Sequence, residues 1–189
     1  YIFIDEAHCI SEWGHNFRPS YRNIESFAKA LGINKISAFT ATATPEVRDD
    51  IIAQLNFKNP STFVYGFERD NLFLNVIHSK QKKQKVAELI KKYKTKTIIY
   101  TSTRKNCEEL SKYLNQNSIT AEYYHAGLTT ELRKVIQDDF IRDNIETIVA
   151  TNAFGMGIDK EDIGMVIHYN IPASIENLYQ EFGRAGRNG

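Results

Sequence analysis

The chain has 189 residues, which suits one large domain or two small ones. Its formal net charge is +1, so it has no global basic field and any nucleic-acid site must be local. Two distant cysteines argue against a disulfide framework. The sequence also contains no signal peptide and no long apolar run, so we expect a protein that is neither secreted nor membrane-bound: cytoplasmic, bacterial nucleoid-associated or nuclear.

The chain opens on four apolar residues, 1–4, followed at once by Asp5 and Glu6. Such a run suits a strand buried in a parallel sheet, and ligands bind beyond the carboxyl ends of such strands. There an aspartate can hold Mg²⁺ on a triphosphate, and a second carboxylate can orient or deprotonate a water molecule. The pattern fits a strand that simply ends in solvated acids equally well.

The next segment, residues 9–21, is predicted to be a loop because it contains Gly14 and Pro19. It carries an unusual load of aromatic and cationic side chains, namely Trp13, His15, Phe17, Arg18 and Tyr21. Bases of single-stranded nucleic acid stack on such rings, and arginine adds phosphate or cation–π contacts. The alternative is that Trp13 and Phe17 pin the loop onto the core.

Helix and strand signals alternate through the rest of the first half. The predicted elements are a helix over 21–31 with Ile24, Phe27, Ala28 and Leu31 inward, a strand over 35–39, a helix with Thr44 as its N-cap and Pro45 as its first residue, and a strand over 62–65. The polar, turn-rich segment 66–71 is the candidate linker.

The second half shows the same alternation. The predicted elements are strands over 72–77, 97–100, 120–124, 147–150 and 165–169, and helices within 79–96, after Thr103, from Thr129 and over 175–182. Tyr93, Leu132 and Val135 are expected on buried helix faces. The eight lysines of 79–96 fit a solvated helix face better than a dedicated nucleic-acid patch. Such alternation predicts right-handed βαβ units and a parallel sheet.

Polar residues follow several of these strands, and a glycine-rich turn ends the chain. Three strands end in Ser, Thr, His or Gly before a helix or loop, where backbone N–H groups can bind phosphate, although ordinary helix caps account for some of them. Arg184 and Arg187 lie in the final turn, where a purely structural role does not readily explain two arginines. An arginine delivered to a transferring phosphoryl group is worth roughly a thousandfold in rate.

Five stretches resemble, in the right order and spacing, the motifs of superfamily 2 helicases. Residues 5–8 resemble motif II, 40–43 motif III, 98–104 motif IV, 150–159 motif V and 180–187 motif VI. The loop 11–19 and the stretch 153–159 are similar to RecQ helicases in particular.

The resemblance implies an α/β fold of RecA-like parallel sheets flanked by helices, with a partial first lobe plus a second lobe. Residues 1–66 would form the C-terminal part of the first lobe and 67–189 the second. The parent would be an ATP-dependent 3′-5′ DNA helicase of repair or recombination. ATP and Mg²⁺ would be its cofactors, and single-stranded and duplex DNA its partners; the resemblance names no protein partner.

The resemblance also assigns roles residue by residue. Asp5 would hold Mg²⁺ through its water shell, Glu6 would activate the hydrolytic water, and His8 would couple the nucleotide site to motif III. The nucleotide contacts expected from the second lobe are Gly157, Asp159, Gln180, Arg184 and Arg187, with Arg187 as the arginine finger. The expected nucleic-acid contacts are Trp13, Phe17, Arg18, Ser102, Arg104, His125 and Thr151.

Two features qualify the resemblance. The sequence contains no Gly-x-x-x-x-Gly-Lys-Ser/Thr stretch, so we expect a fragment that hydrolyses little ATP by itself, with zinc confined to a downstream region. Thr101 stands where relatives often carry Cys or Asn, which leaves its DNA contact open. The alternatives are an RNA helicase of the same superfamily and a non-catalytic nucleic-acid-binding module.

Overall fold

A computed structural model describes residues 1–14, 17–66, 68–155, 158 and 160–188. The chain divides into two compact units, Tyr1–Phe67 and Glu68–Gly189.

The first unit is built on two parallel strands. Strand β1 (Ile2–Ile4) pairs with β2 (Ile36–Ala38). A 3₁₀ turn (Ala7–Ile10) follows β1, and a second one (Pro19–Asn23) leads into helix α1 (Ile24–Ala30). Helix α2 (Pro45–Gln54) begins as expected, because the Thr44 hydroxyl accepts a hydrogen bond from the Val47 amide. The buried core of this unit consists of Ile4, Ala7, Ile10, Val47, Ile51 and Leu55.

The second unit contains a four-stranded parallel sheet in the order β4-β5-β3-β6. Its elements in chain order are α3 (Lys82–Tyr93), β3 (Lys96–Tyr100), α4 (Arg104–Gln116), β4 (Ala121–Tyr124), α5 (Thr130–Ile141), β5 (Thr147–Ala150), β6 (Ile163–His168) and α6 (Ile175–Phe182). The predicted parallel α/β sheet is thereby confirmed.

Both faces of this sheet are covered. Because side chains alternate along a strand, Ile98 and Ile148 face one side and Ile99 and Val149 the other. The first side packs against α5 through Ile136 and Phe140. The second packs against α3 and α4 through Val86, Ile90, Cys107, Leu110 and Leu114.

Three helices begin directly after loops at the carboxyl edge of the sheet. The hydroxyls of Thr103, Thr129 and Ser174 accept hydrogen bonds from amides three residues further on and cap α4, α5 and α6. All three starts were predicted from the sequence.

Two predicted strands are absent from the described chain. Residues 62–65 and 72–77 have no strand pairing, and Phe63, Tyr65, Phe73 and Val76 are exposed. Apolar β-type composition suffices to suggest a strand, but a strand exists only where a neighbour accepts its backbone hydrogen bonds.

The buried helix faces are narrower than predicted. The side chains of Phe27, Leu31, Tyr93, Leu132 and Val135 are exposed. The buried residues of these helices, such as Ala28, Ile90 and Ile136, form narrower rows than the apolar pattern predicts. None of the described helices is long and apolar enough to cross a membrane.

Four charged residues join three segments at the amino edge of the larger sheet. Lys96 opens β3, Asp162 precedes β6, and Asp143 follows α5. Lys96 Nζ donates to a carboxylate oxygen of Asp143 and, at 3.0 Å, to Asp162. Lys160 Nζ lies 2.6 Å from Asp143 and 3.1 Å from Asp162.

The pKa values of these carboxyls reflect the two lysines. Hydrogen bonds from Lys160 and Lys96 lower the pKa of Asp143. Burial alone would raise the pKa of Asp162, but hydrogen bonds and charges from the same lysines outweigh it, so that pKa is also lowered. The cluster therefore favours the ionised carboxylates.

We expect Asp162→Asn to lower the stability of the second unit by about 1 kcal/mol at pH 7, because the half-exposed carboxylate is screened by solvent. A carboxyl with a lowered folded-state pKa stabilises the fold above its unfolded pKa, about 3.9, and loses that contribution as pH falls through the folded pKa. Urea unfolding of both proteins should therefore show a gap at pH 7 that closes below about pH 4. A gap of equal size at pH 3 would contradict this prediction.

Candidate functional site

The two predicted carboxylates lie where β1 ends. Asp5 and Glu6 are exposed, and the Glu6 amide donates to Asp5 Oδ1 at 2.8 Å. Glu6 has a left-handed backbone with φ 50°, which is uncommon for a residue with a side chain and is often found at functional sites. Both residues of the acidic pair therefore lie directly beyond the carboxyl end of β1. A Mg²⁺ ion that takes one or two carboxylates together with substrate phosphates fits such a pair.

His8 joins this acidic pair to the neighbouring strand. Its imidazole is buried, and Nδ1 lies 3.3 Å from Glu6 Oε2 and 3.1 Å from the Thr40 hydroxyl. The same ring nitrogen thus lies within reach of both the Glu6 carboxylate and the Thr40 hydroxyl. The Thr42 amide donates to the same Thr40 hydroxyl at 3.3 Å. The resemblance predicts that His8 couples the nucleotide site to motif III, and Thr40, the first residue of that motif, is the one that His8 contacts.

The loop after the acids holds its aromatic side chains in different environments. Trp13 is 81% exposed, so it does not pin the loop onto the core. Phe17 is half-buried, with the Arg22 guanidinium 5.0 Å from its ring centre. Arg18 is exposed and lies 5.9 Å from the Tyr21 ring centre. An exposed indole, in a loop whose other rings lie near arginines, is a suitable platform for a nucleic-acid base.

Gly14 fixes the path of this loop. A Cβ atom at this position would lie 2.2 Å from the His8 carbonyl oxygen, closer than any side chain permits. The Gly14 amide donates to the Ser11 carbonyl, and the buried Ser11 hydroxyl accepts from the Trp13 amide at 3.2 Å. The exposed Trp13 is thus held by the same turn that contains His8.

In the second unit, the predicted nucleic-acid contacts lie along the carboxyl edge of the sheet. The amides of Thr101, Thr151 and Tyr169 donate to Ala150, Tyr124 and Tyr100, so the strand ladder continues into the loops. Ser102 is exposed, and its amide donates to Asn170 Oδ1 at 3.1 Å. The structure therefore brings the loops that carry Ser102, Arg104, His125 and Thr151 to one edge.

These residues do not all present their side chains to solvent. Arg104 is exposed at the start of α4. His125 is buried, with Nδ1 accepting from the Gly127 amide at 3.2 Å and Nε2 donating to Glu108 at 2.9 Å. Thr101 is buried as well, and its hydroxyl lies 3.3 Å from the Ala150 carbonyl oxygen. His125 and Thr101 therefore shape the edge from within.

The two predicted arginines differ in their surroundings. Arg184 is half-buried and donates from Nη1 to the Gly155 carbonyl at 2.6 Å, while its Nε is buried without a partner among the described residues. Gly155 has φ 131°, and a Cβ there would lie 2.3 Å from the guanidinium carbon. Arg187 is exposed at the end of the same turn. Gln180 is half-buried on α6.

A pair that the sequence analysis missed lies between α6 and the end of β6. His168 Nε2 lies 2.8 Å from Glu181 Oε2, which ties α6 to the end of β6, and Tyr100 stacks on the His168 ring. Burial raises the pKa of the Tyr100 phenol to about 12, against an opposing effect of the Arg184 charge. The neutral phenol donates to the Phe154 carbonyl at 3.2 Å. Only the position of Glu181 beside Gln180 in the motif could have drawn attention to it.

Two predicted nucleotide contacts, Gly157 and Asp159, lie outside the described residues. Within the described part of the chain, no group of three or more His, Cys, Asp or Glu side chains could hold a metal ion. The magnesium prediction for Asp5 does not depend on such a group, because substrate phosphates would supply the other ligands.

Comparisons with known proteins address the family. Residues 81–189 match the model of the helicase conserved C-terminal domain. The ATP-dependent DNA helicase RecQ of Bacillus subtilis is 47% identical over 190 residues, an alignment that covers 100% of this chain and 32% of the relative. The ATP-dependent helicase wrn-1 of Caenorhabditis elegans is 45% identical over 197 residues, covering 100% of this chain and 19% of the relative. The chain thus spans a third or less of the length of these relatives.

Among solved structures, Saccharomyces cerevisiae Dbp5 bound to RNA and ADP BeF3 has a TM-score of 0.78 and 22% sequence identity. The alignment covers 98% of this chain and 50% of that chain. A likeness at this level of identity shows the fold alone.

We expect Gly14→Ala to destabilise the first unit by about 2 kcal/mol or more, because the added methyl group must displace the His8 carbonyl or the loop. Gly66→Ala is the matched control, since a Cβ at Gly66 meets nothing within 4 Å. Urea unfolding measures both effects, and Trp13 fluorescence reports on the loop. Equal stability of the two variants would contradict the proposed role of Gly14.

Proposed function

Because this chain belongs to the family of the helicase conserved C-terminal domain, and within it to the RecQ helicases, we propose that it supplies half of an ATPase site and a DNA-tracking edge to an ATP-dependent 3′-5′ DNA helicase. The relatives named above are described as ATP-dependent helicases, and the RecA-like α/β fold suits coupling of nucleotide hydrolysis to movement along a strand.

The contact of His8 with both Glu6 and Thr40 carries this proposal. A strand that ended in merely solvated acids would have no need of a buried imidazole that holds one of them. Here Glu6 adopts a strained backbone, and its carboxylate is oriented by His8, which also contacts the next strand. A carboxylate held in this way is prepared to orient a water molecule.

The residues of the first unit have separate roles in this mechanism. Mg²⁺–ATP, when bound, supplies the transferable phosphoryl group and neutralises its developing charge. Asp5 would hold the ion, with Oδ1 oriented by the Glu6 amide. Glu6 takes up a proton from the attacking water at a carboxylate oxygen. His8 keeps Glu6 oriented and relays to Thr40 any change in its position.

The second unit contributes positive charge and the track for DNA. Arg187 is exposed and supplies the guanidinium that stabilises charge on the transferring phosphoryl group. Ser102, Arg104 and Thr151 line the edge that follows the sugar-phosphate backbone, with His125 holding this edge in shape. In the first unit, Trp13, Phe17 and Arg18 sense single-stranded DNA and act on the adjacent acids through the turn at Gly14.

The decisive test is Glu6→Gln in the full-length protein that carries this chain. We expect ATP binding to remain within about threefold of wild type while DNA-stimulated hydrolysis falls by about a hundredfold or more, because the amide cannot accept the proton. Unimpaired hydrolysis would remove Glu6 from the mechanism.

Whether DNA or RNA stimulates ATP hydrolysis more strongly distinguishes a DNA helicase from an RNA helicase. We expect single-stranded DNA to stimulate hydrolysis by the full-length protein more strongly than RNA of the same length and sequence, and stronger stimulation by RNA would overturn the DNA assignment. The 189-residue chain alone, which contains no P-loop sequence, should show little or no hydrolysis with either polymer.

The DNA-tracking edge is tested by salt dependence. If Arg104 contacts one phosphate of single-stranded DNA, Arg104→Gln should weaken binding and reduce the slope of log K against log salt by about 0.7. Lys91→Gln removes the same charge from an exposed position in the last turn of α3 and should leave the slope unchanged. Equal slopes for Arg104→Gln and wild type would exclude Arg104 from the contact.

A further inference from the structure

The segment that opens the second unit, residues 68–71, is hydrogen-bonded to the loop that carries the two arginines, residues 183–188. Arg69 and Ala185, which are bonded to each other, lie 116 positions apart in sequence. Arg69 Nη2 donates to the Gly186 carbonyl at 2.7 Å and to the Ala185 carbonyl at 3.2 Å. Asn71 Nδ2 donates to the same Gly186 carbonyl at 2.5 Å. Two side chains of one segment therefore hold two consecutive carbonyls of the other.

The same turn is held from the opposite side by the sheet. The Gly186 amide donates to the Ile163 carbonyl at 2.9 Å, at the start of β6. Gly186 has φ 62°, and a Cβ there would lie 2.8 Å from Asn71 Nδ2. The positive φ favours glycine at this position, and the missing Cβ leaves room for the Asn71 side chain against the turn.

The position of this turn matters because Ala185 and Gly186 are the two residues between Arg184 and Arg187. Arg184 is fixed by the Gly155 carbonyl, so the direction of the chain from Arg184 to Arg187 is set by the two carbonyls that Arg69 and Asn71 hold. A charge that stabilises a transition state must be placed accurately, since small displacements cost large factors in rate.

Of the four residues 68–71 that open the second unit, only Arg69 and Asn71 make these hydrogen bonds among the described contacts. Arg69 is half-buried, and its Nε also donates to Asn71 Oδ1 at 3.3 Å, so the two side chains support each other. Their neighbours Glu68 and Asp70 are exposed. A guanidinium suits this task, because its fixed fork of donors can serve more than one acceptor at once.

We propose that Arg69 and Asn71 are positioning residues for Arg187, holding the Ala185–Gly186 turn so that the arginine projects at a fixed place. The proposal rests on the proposed function, in which Arg187 acts on the transferring phosphoryl group. Because Glu68 is the first residue of the second unit, the arginine loop is also fastened to the point where the chain enters that unit.

The test uses the full-length protein and steady-state ATP hydrolysis with saturating single-stranded DNA. We expect Arg69→Ala to lower kcat by about tenfold or more while KM for ATP changes less than about twofold, because an interaction made only in the transition state is lost. Arg69→Lys should recover part of kcat, since an ammonium can still donate to one carbonyl. Asp70→Asn, the matched control in the same segment, should hydrolyse ATP at the wild-type rate.

A second pair of measurements separates positioning from a general loss of structure. Asn71→Ala changes an exposed residue, and we expect the same fall in kcat with a thermal midpoint close to that of wild type. If Arg69 acts through Arg187, the double variant Arg69→Ala/Arg187→Ala should be no slower than Arg187→Ala alone.

The outcomes distinguish the two proposals. If the losses of Arg69→Ala and Arg187→Ala multiply in the double variant, or if Asn71→Ala retains the wild-type kcat, the positioning proposal is overturned while the proposed function stands. If Arg187→Ala itself hydrolyses ATP at the wild-type rate, both are overturned. Non-multiplying losses with an unchanged KM support the assignment.

Discussion

Parallel pairing of the strands is the constraint on which the rest of this structure depends. Parallel strands end at the same edge of a sheet, so the residues that follow them meet there whatever their separation in sequence. In the first unit, Glu6 follows β1 and Thr40 follows β2, and the buried His8 contacts both. In the second, the ladder continues through the amides of Thr101 and Thr151, which carries the polar loops to one edge.

The opposite edge of the larger sheet is used differently. There Lys96 and Lys160 are nearly buried and share the carboxylates of Asp143 and Asp162, so the charges are satisfied within the protein. At the carboxyl edge, Ser102 and Arg104 remain exposed. The lysine and aspartate cluster therefore lies at one edge of the sheet, and the exposed groups that can meet a ligand lie at the other.

Much of this arrangement could be predicted from local sequence signals. The hydroxyls of Thr44, Thr103, Thr129 and Ser174 mark helix starts because capping needs only the residue itself and the next turn. The apolar segments 62–65 and 72–77 failed as strands because pairing depends on a neighbour that composition does not reveal. The acidic pair and the arginines were located by motif, whereas the left-handed turn at Glu6 and the buried state of His125 depend on tertiary contacts.

Three of the contacts that escaped prediction share a physical character, because in each a side chain or a loop lies against a backbone carbonyl. Gly14 passes under the His8 carbonyl, Arg184 donates to the Gly155 carbonyl, and Arg69 to that of Gly186. Every residue has a carbonyl, so sequence cannot identify the acceptor. The sequence shows only the residue that must lack a side chain for the approach to be possible, which is glycine at positions 14 and 155. A glycine beside a motif is therefore informative here because it marks where a functional group approaches the backbone, and the partner becomes visible only in three dimensions.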